Sequence, residues 1–302
     1  MRKFVFAAIA LLAAAPAARA QGGEERQKID TSFAFAKGGS VDLGHVSGDI
    51  IVTGWTKGEI KIYAVIETGY LKASMSSSRV QISAHSRHNR MGKSHYELSV
   101  PIGTEVRATA VSGNIAVRGV GGEVSANTVS GDIEVRDAGD RVELHTVSGD
   151  VHASKLRGRI RGEAVSGDFT LDDISGEVKL NTVSGQAKVR GALSGAEFEA
   201  VSGDFDFAGD LTGSGTFNVN THSGDVHVTL PQNISATFEL QTFSGELRSG
   251  FPLTLQPGDQ ALNRRNRRMR FDVNGGGTRI RLGTFSGDLT LDKSAPRANK
   301  EN

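Results

Sequence analysis

The chain has 302 residues with 38 Gly, 6 Pro, 18 aromatics and no Cys. Glycine is about twice its usual share, yet far below collagen's one in three, and low Pro with 37% hydrophobic residues argues against disorder. The missing Cys excludes a disulfide scaffold, a Cys-based zinc site and thiol catalysis, and a formal charge of +1 gives no global pull toward nucleic acid or anionic lipid.

The N-terminus reads as an export signal over residues 1–20. Arg2 and Lys3 precede an apolar run from Phe4 to Ala15, and Ala18-Arg19-Ala20 is a small-x-small cleavage site. The run is shorter than the roughly 20 residues that span a bilayer, and no Cys follows to carry a lipid anchor. Cleavage would start the mature chain at Gln21, leaving 32 basic and 34 acidic residues, a net of −2. Residues 21–27 form a short linker, and no later segment is apolar and long enough to span a membrane.

From residue 28 the chain repeats itself. The dipeptide Ser-Gly first occurs at Ser47, then at Ser112, Ser130, Ser148, Ser166, Ser184 and Ser202 in steps of 18. It returns at Ser223 and Ser244 in steps of 21, and at Ser286 after 42. Fixed-period self-similarity marks a repeat architecture. Aligned on that Ser, the third residue after it is apolar (Ile50, Ile115, Ile133, Val151, Phe169), and so is the fifth (Val52, Val117, Val135, Leu171). The fourth and sixth before it are apolar too: Leu43, Leu144, Leu180, and Val41, Val106, Val124, Val142. This is period-2 alternation in two short strands per unit, each with one buried face. A second Gly, as at Gly122, Gly139, Gly158, Gly176 and Gly195, marks a second turn. No stretch shows a helical period.

Identical columns at constant period favour a parallel β-solenoid over an antiparallel meander, because like residues then stack on like about 4.8 Å apart. The expected fold is all-β, a single-stranded β-helix or roll with coils of 18 to 21 residues. Two outward pairs follow, Glu143 facing Arg161 and Lys179 facing Glu197. Thr128, Thr146, Thr182, Thr221, Thr242 and Thr284 form a ladder two before the Ser. The Val before each Ser is expected to fill the corner. The turn residues Ser112, Gly113, Ser130, Gly131, Ser148, Gly149, Ser166, Gly167, Ser184, Gly185, Ser202 and Gly203 are structural. Gly permits positive φ, and Ser and Asp side chains hold the bend through nearby backbone groups.

The pattern Thr-Val-Ser-Gly-Asp-Ile followed by alternating apolar residues resembles the bacterial putative-adhesin domain, a family of β-strand-repeat proteins of unknown function. The opening Val46-Ser47-Gly48-Asp49-Ile50-Ile51-Val52-Thr53-Gly54-Trp55 and the closing Gly275-Gly276-Gly277-Thr278-Arg279-Ile280-Arg281-Leu282 also resemble it. The resemblance covers about residues 28–293. It implies a solenoid-like fold and an envelope location, and it supplies no catalytic residues.

Two insertions break the period. Residues 68–105 hold expected strands at Arg79–Ser83 and Tyr96–Val100 around a polar loop, and residues 250–277 form the second. Each is expected to cap or edge the stack, since bare ends expose unpaired strands. Residues 294–302 read as a disordered tail.

Candidate chemistry is thin. Asp132, Asp150, Asp168, Asp204 and Asp225 stack in one column and are weak calcium candidates, but the calcium-binding roll places Asp at nine-residue spacing, so turn capping is the simpler reading. His152 and His227 share a column but lie four units apart, roughly 19 Å at strand spacing. His85, His88 and His95 sit together without a metal-ligand motif. Arg264, Arg265, Arg267, Arg268 and Arg270 could meet an anionic partner or form a solvated loop. No nucleophile elbow, P-loop or dinucleotide fingerprint is present. The sequence thus suggests a non-enzymatic, cofactor-free envelope protein for adhesion, scaffolding or sensing, with a cell-envelope protein or glycan as partner. The alternatives are a carbohydrate- or partner-binding module and a cryptic carbohydrate-active enzyme.

Overall fold

A computed structural model of the chain describes residues 27–86, 92–213, 215–252, 262–263 and 266–294. The expected export signal, most of the linker and the tail therefore lie outside the described residues. The described chain is all-β, with 25 strands in one continuous sheet and no helix. The fold is β-solenoid-like, as the repeat arithmetic requires.

Neighbouring repeats pair in parallel and in the sequence's own register. Val124 aligns with Val142, Val142 with Ile160, and Ile160 with Val178. After each Ser-Gly turn a second strand pairs likewise, Ile133 with Val151 and Val151 with Phe169. Both runs send their alternate side chains into one core. Two 16-residue strands, Phe169–Ser184 and Ala187–Ser202, belong to both runs and join them. Contacts cross the core between the runs: the Phe198 and Phe205 rings lie 4.8 Å apart, and Phe207 and Phe217 5.2 Å. Volume is balanced across it as well. Gly162 leaves the space that the Phe169 ring and Leu180 occupy, and a Cβ there would sit 2.6 Å from that ring.

The Ser-Gly turn is built by close approach. A Cβ on Gly131, Gly149 or Gly167 would lie inside the radius of the preceding repeat's glycine carbonyl oxygen. The φ values of these glycines, 154°, 159° and 158°, are also ones that residues with a Cβ rarely adopt. The repeats therefore touch backbone to backbone at the corner, and Gly149 N–H donates to the Ser166 carbonyl at 3.3 Å. Gly122, Gly139, Gly158 and Gly176 are crowded in the same way at the second turn. Gly195 is not: its nearest neighbours stand at 3.6 Å or beyond, and Gly191 and Gly209 make the close approach in its place.

The spatial order departs from chain order at both ends. The turn serines align as Ser47, Ser112, Ser130, Ser148, Ser166, Ser184, Ser202, Ser223, Ser286, Ser244. The last repeat in sequence, Thr278–Ser286 with Leu289–Lys293, is thus inserted beneath Ala236–Ser244 and Leu247–Ser249. At the other end, Ser40–Gly44 and Gly48–Trp55 lie between Arg79–His85 with Ser94–Pro101 and the regular array. The first insertion is therefore a further repeat stacked outside the first one. Antiparallel strands finish the ends: Gln27–Ala34 on Glu59–Ile66, Tyr70–Met75 on Arg79–His85, and Asn266–Val273 on Ala236–Ser244. Edge strands invite foreign pairing, and here the N- and C-terminal repeats are each covered by chain from elsewhere.

Candidate binding rim

The Thr-Val-Ser-Gly-Asp corner divides into an inner and an outer half. The Thr column is buried, with Thr146 5% exposed. Its hydroxyls work inward: Thr221 donates to the Gly203 carbonyl at 3.2 Å, Thr284 to Gly224 at 3.1 Å and Thr242 to Gly287 at 3.1 Å. Each of these carbonyls belongs to the turn of an adjoining repeat, so these three hydroxyls tie one turn to the next. Thr182 instead donates to the Ser184 carbonyl of its own turn, and the buried Thr146 hydroxyl has no partner.

The Val column does not fill the corner, contrary to the expectation from sequence. Val129, Val147, Val165, Val183 and Val201 are 44, 42, 48, 46 and 54% exposed. Strand alternation is the reason: with Thr turned inward, the following residue must face out. Val46 and Val111 continue the column at one end, and His222, Phe285 and Phe243 at the other. The last three rings stack face to face, His222 on Phe285 at 4.9 Å and Phe285 on Phe243 at 4.7 Å. Ten stacked positions thus form an unbroken rim of about 43 Å at strand spacing, apolar except for His222. Exposed apolar side chains usually stand singly on a protein surface, and here they form a contiguous strip. Beside it runs a shallow groove. Val129, Val147, Val165 and Val183 form one wall and Asn127, His145, Glu163 and Asn181 the other, over a floor of Thr128, Thr146, Ala164 and Thr182.

The Asp column also differs from expectation. Asp132 does not cap its own bend: its Oδ1 accepts the Asp150 backbone N–H at 3.0 Å, and Asp150 accepts from Asp168 at 3.0 Å. The chain of bonds runs on through Asp168 to Gln186 N–H, Asp204 to Asp225 N–H, Asp225 to Asp288 N–H and Asp288 to Glu246 N–H. Each side chain fastens the next repeat. Among the described residues no group of three or more His, Cys, Asp or Glu is placed to hold a metal.

Several outward charges elsewhere are tied in pairs. Arg118 meets Glu134 at 2.6 Å, Arg190 meets Asp206 at 2.9 Å, and the expected Lys179–Glu197 pair forms at 2.7 Å. The Arg118 hydrogen bond holds the Glu134 carboxyl below its ordinary pKa. Glu143 and Arg161 are in register, but Arg161 bridges Glu163 of its own strand at 3.0 Å. His227 lies between Asp206 and Asp292, 3.0 Å from the latter. Within the basic segment, Arg264 and Arg265 lie outside the described residues. Arg267 falls in the strand Asn266–Val273, and Arg268 and Arg270 are exposed on it. Glu239 lies between Arg270 at 3.9 Å and Arg281 at 2.9 Å. Burial raises the Glu239 carboxyl, yet the hydrogen bond and charge of Arg281, with the charge of Arg270, outweigh it and hold the pKa low. His85 stacks on Tyr70 at 5.3 Å, His95 lies in Ser94–Pro101, and His88 is outside the described residues.

One buried group was not singled out from sequence. His45 takes the Thr position of the first repeat, is 5% exposed, and has no hydrogen-bond partner on either ring nitrogen. Its ring lies 5.5 Å from that of Tyr96, whose hydroxyl donates to the Gly44 carbonyl at 3.3 Å. Burial drives the His45 pKa down to about 4, against a smaller upward pull from Asp49. Its place in the buried column of the alignment was the signal available.

Several solved structures are similar over most of the chain. A protein of Parabacteroides distasonis described as a putative lipid binding protein is 13% identical, with a TM-score of 0.41, covering 90% of this chain and 96% of that one. A putative adhesin of the same organism is 10% identical, with a TM-score of 0.39, covering 89% and 97%. A putative cell adhesion protein of Clostridium sporogenes is 9% identical, with a TM-score of 0.33, covering 89% and 100%. Likeness this distant assigns no function to this chain. No curated protein matches it. Residues 122–292, more than half the chain and the whole of the regular array beyond its first repeat, match the family described as Toastrack DUF4097, and the chain belongs to that family.

Proposed function

We propose that this chain is an exported, non-enzymatic cell-envelope protein whose stacked repeats hold a rigid binding rim for adhesion, scaffolding or envelope sensing. The observation that carries the reading is the exposed column from Val46 to Phe243, Val and Phe at every position but His222. Burying it against a partner gains about 25 cal/mol per Å², and a rigid backbone loses little entropy on binding. Each 18- to 21-residue period closes as one coil of a parallel solenoid, which keeps the rim straight. The parallel one-period register supports this. Export rests on Arg2, Lys3, the apolar run after them and Ala18-Arg19-Ala20. The absence of catalysis rests on outward carboxylates such as Glu134 and Asp206 being tied to arginines.

The test replaces Val129, Val147, Val165, Val183 and Val201 with Ser in the full chain. Retention on intact cells and isolated envelopes is then compared, and the mature N-terminus is read by mass spectrometry. Retention lost in the variant, with a terminus at Gln21, is expected. Equal retention of both proteins would refute the rim, and an uncleaved cytoplasmic chain would refute export.

A further inference from the structure

The far side of the same corner carries charge that the fold does not require. The Asp column stands two residues beyond the turn Ser, and eight of its ten positions are Asp or Glu. Every Asp of the column is aligned by the backbone N–H it accepts, so within the runs Asp132-Asp150-Asp168 and Asp204-Asp225-Asp288 the charges stand about 4.8 Å apart. At that spacing like charges repel by about 1 kcal/mol per pair even in water. An amide makes the same bond without the repulsion: Asn114 Oδ1 accepts the Asp132 N–H at 3.0 Å, the distance that Asp132 gives Asp150. Stacking alone would thus be served as well by Asn throughout. Among the described residues no lysine or arginine pairs with Asp132, Asp150, Asp168 or Asp204 to offset the charge, and Arg248 meets the column only at its end, beside Glu246 and Asp288.

An apolar ladder and an anionic ladder therefore border one corner and run parallel along the stack. An anionic lipid surface or phosphate polymer laid on this rim would meet like charge. A segment with apolar residues on one line and Lys or Arg on the next meets both ladders favourably. Its spacing suits a helix, whose apolar stripe recurs about every 5.4 Å, near the ladder's period. Same-side residues of an extended strand recur about every 6.8 Å.

Resting on the reading of the rim as a binding surface, we propose that its partner is a cationic amphipathic helical polypeptide, seated with its apolar stripe on the Val column and its basic flank on the Asp column. The test uses the full chain and two designed helical peptides of one Leu pattern, one with Lys and one with Glu at the polar positions. Binding is read by fluorescence anisotropy at low and high salt. The Lys peptide is expected to bind, more weakly as salt rises, and the Glu peptide not to bind. Asp132→Asn, Asp150→Asn and Asp168→Asn together keep the bonds between repeats. They should keep or raise the melting temperature, since the repulsion is relieved, and weaken the Lys peptide by about tenfold, the sum of three exposed charge contacts. Glu123→Gln with Glu143→Gln, on the same sheet away from the corner, should not weaken it.

Equal binding of the Glu peptide would overturn the proposal. So would unchanged affinity in the triple Asn variant, or preferential binding of phosphatidylglycerol vesicles at the rim. If the Ser variant of the rim loses envelope retention while the triple Asn variant binds the Lys peptide like wild type, the rim stands and the cationic partner fails. If the Ser variant keeps envelope retention, the rim itself fails.

Discussion

Thr128 and Val129 are neighbours in one strand, yet the hydroxyl is buried on the Gly113 carbonyl and the isopropyl group faces water. The inner side of the corner is a fastening. Gly backbones touch, Thr hydroxyls bind turn carbonyls, and Asp oxygens take the next repeat's N–H. The outer side is an apolar rim with nothing from the described chain covering it. A polar group is cheap to bury when it is satisfied, and strand alternation then forces the next residue outward. The lesson is that the repeated motif is two devices: one half determines the fold, and the other half is free to serve function.

That division predicts unequal responses to mutation. The largest concerns Gly149, where Gly149→Ala drives a Cβ into the Gly131 carbonyl oxygen. It should cost more than about 3 kcal/mol in urea denaturation, the range of a severe backbone conflict. Val147→Ala on the rim, two residues away, should stay within about 0.5 kcal/mol, as surface changes do. Equal losses at the two positions would erase the distinction between fastening and rim.

Core volume comes next. Phe169→Ala should cost about 3–5 kcal/mol, because its ring fills the space that Gly162 leaves. Gly162→Ala alone should cost about 1–3 kcal/mol by overpacking. Guanidinium midpoints at constant m-value measure both.

Acid sharpens the comparison at the first repeat, where His45 stands in the fastening column without a partner. Its folded pKa is about 4 against an ordinary 6.5. Between those values the unfolded chain holds a proton that the folded chain lacks. Stability is therefore full above pH 6.5 and falls as pH drops toward 4, by about 3 kcal/mol in all. His45→Thr, which restores the column's own residue, should flatten that slope in melts across this range. An unchanged slope would remove His45 as its cause. The smallest effect separates acceptor from charge: Asp150→Ala should lose about 1 kcal/mol relative to Asp150→Asn through the missing bond to Asp168 N–H, while Asp150→Asn keeps that bond and costs nothing.

Much of the fold was legible in the sequence because stacking like on like writes the same kind of residue at one position of every repeat. Ile133, Val151 and Phe169 mark their column by spacing alone. The end order was not legible. Ser286 carries the same motif as Ser244, and nothing in the motif says which repeat lies outside the other. Nor could composition show that His45 would be buried without a partner, since a single ring in a Thr column has no pattern of its own. The rim was misread for a physical reason: Val beside a turn suggests burial, and only the inward Thr, whose hydroxyl finds a carbonyl in the next turn, reverses that. The Asp column was recognised as structural, but its bonds cross between repeats, and local turn chemistry cannot foretell a partner 18 residues away.

The most direct test of the division replaces Val129, Val147, Val165, Val183 and Val201 by Ser in one protein and compares melting temperature with envelope retention. The account predicts a melting temperature within a few degrees of wild type together with lost retention. A cooperative loss of structure in that variant, or retention equal to wild type, would contradict it.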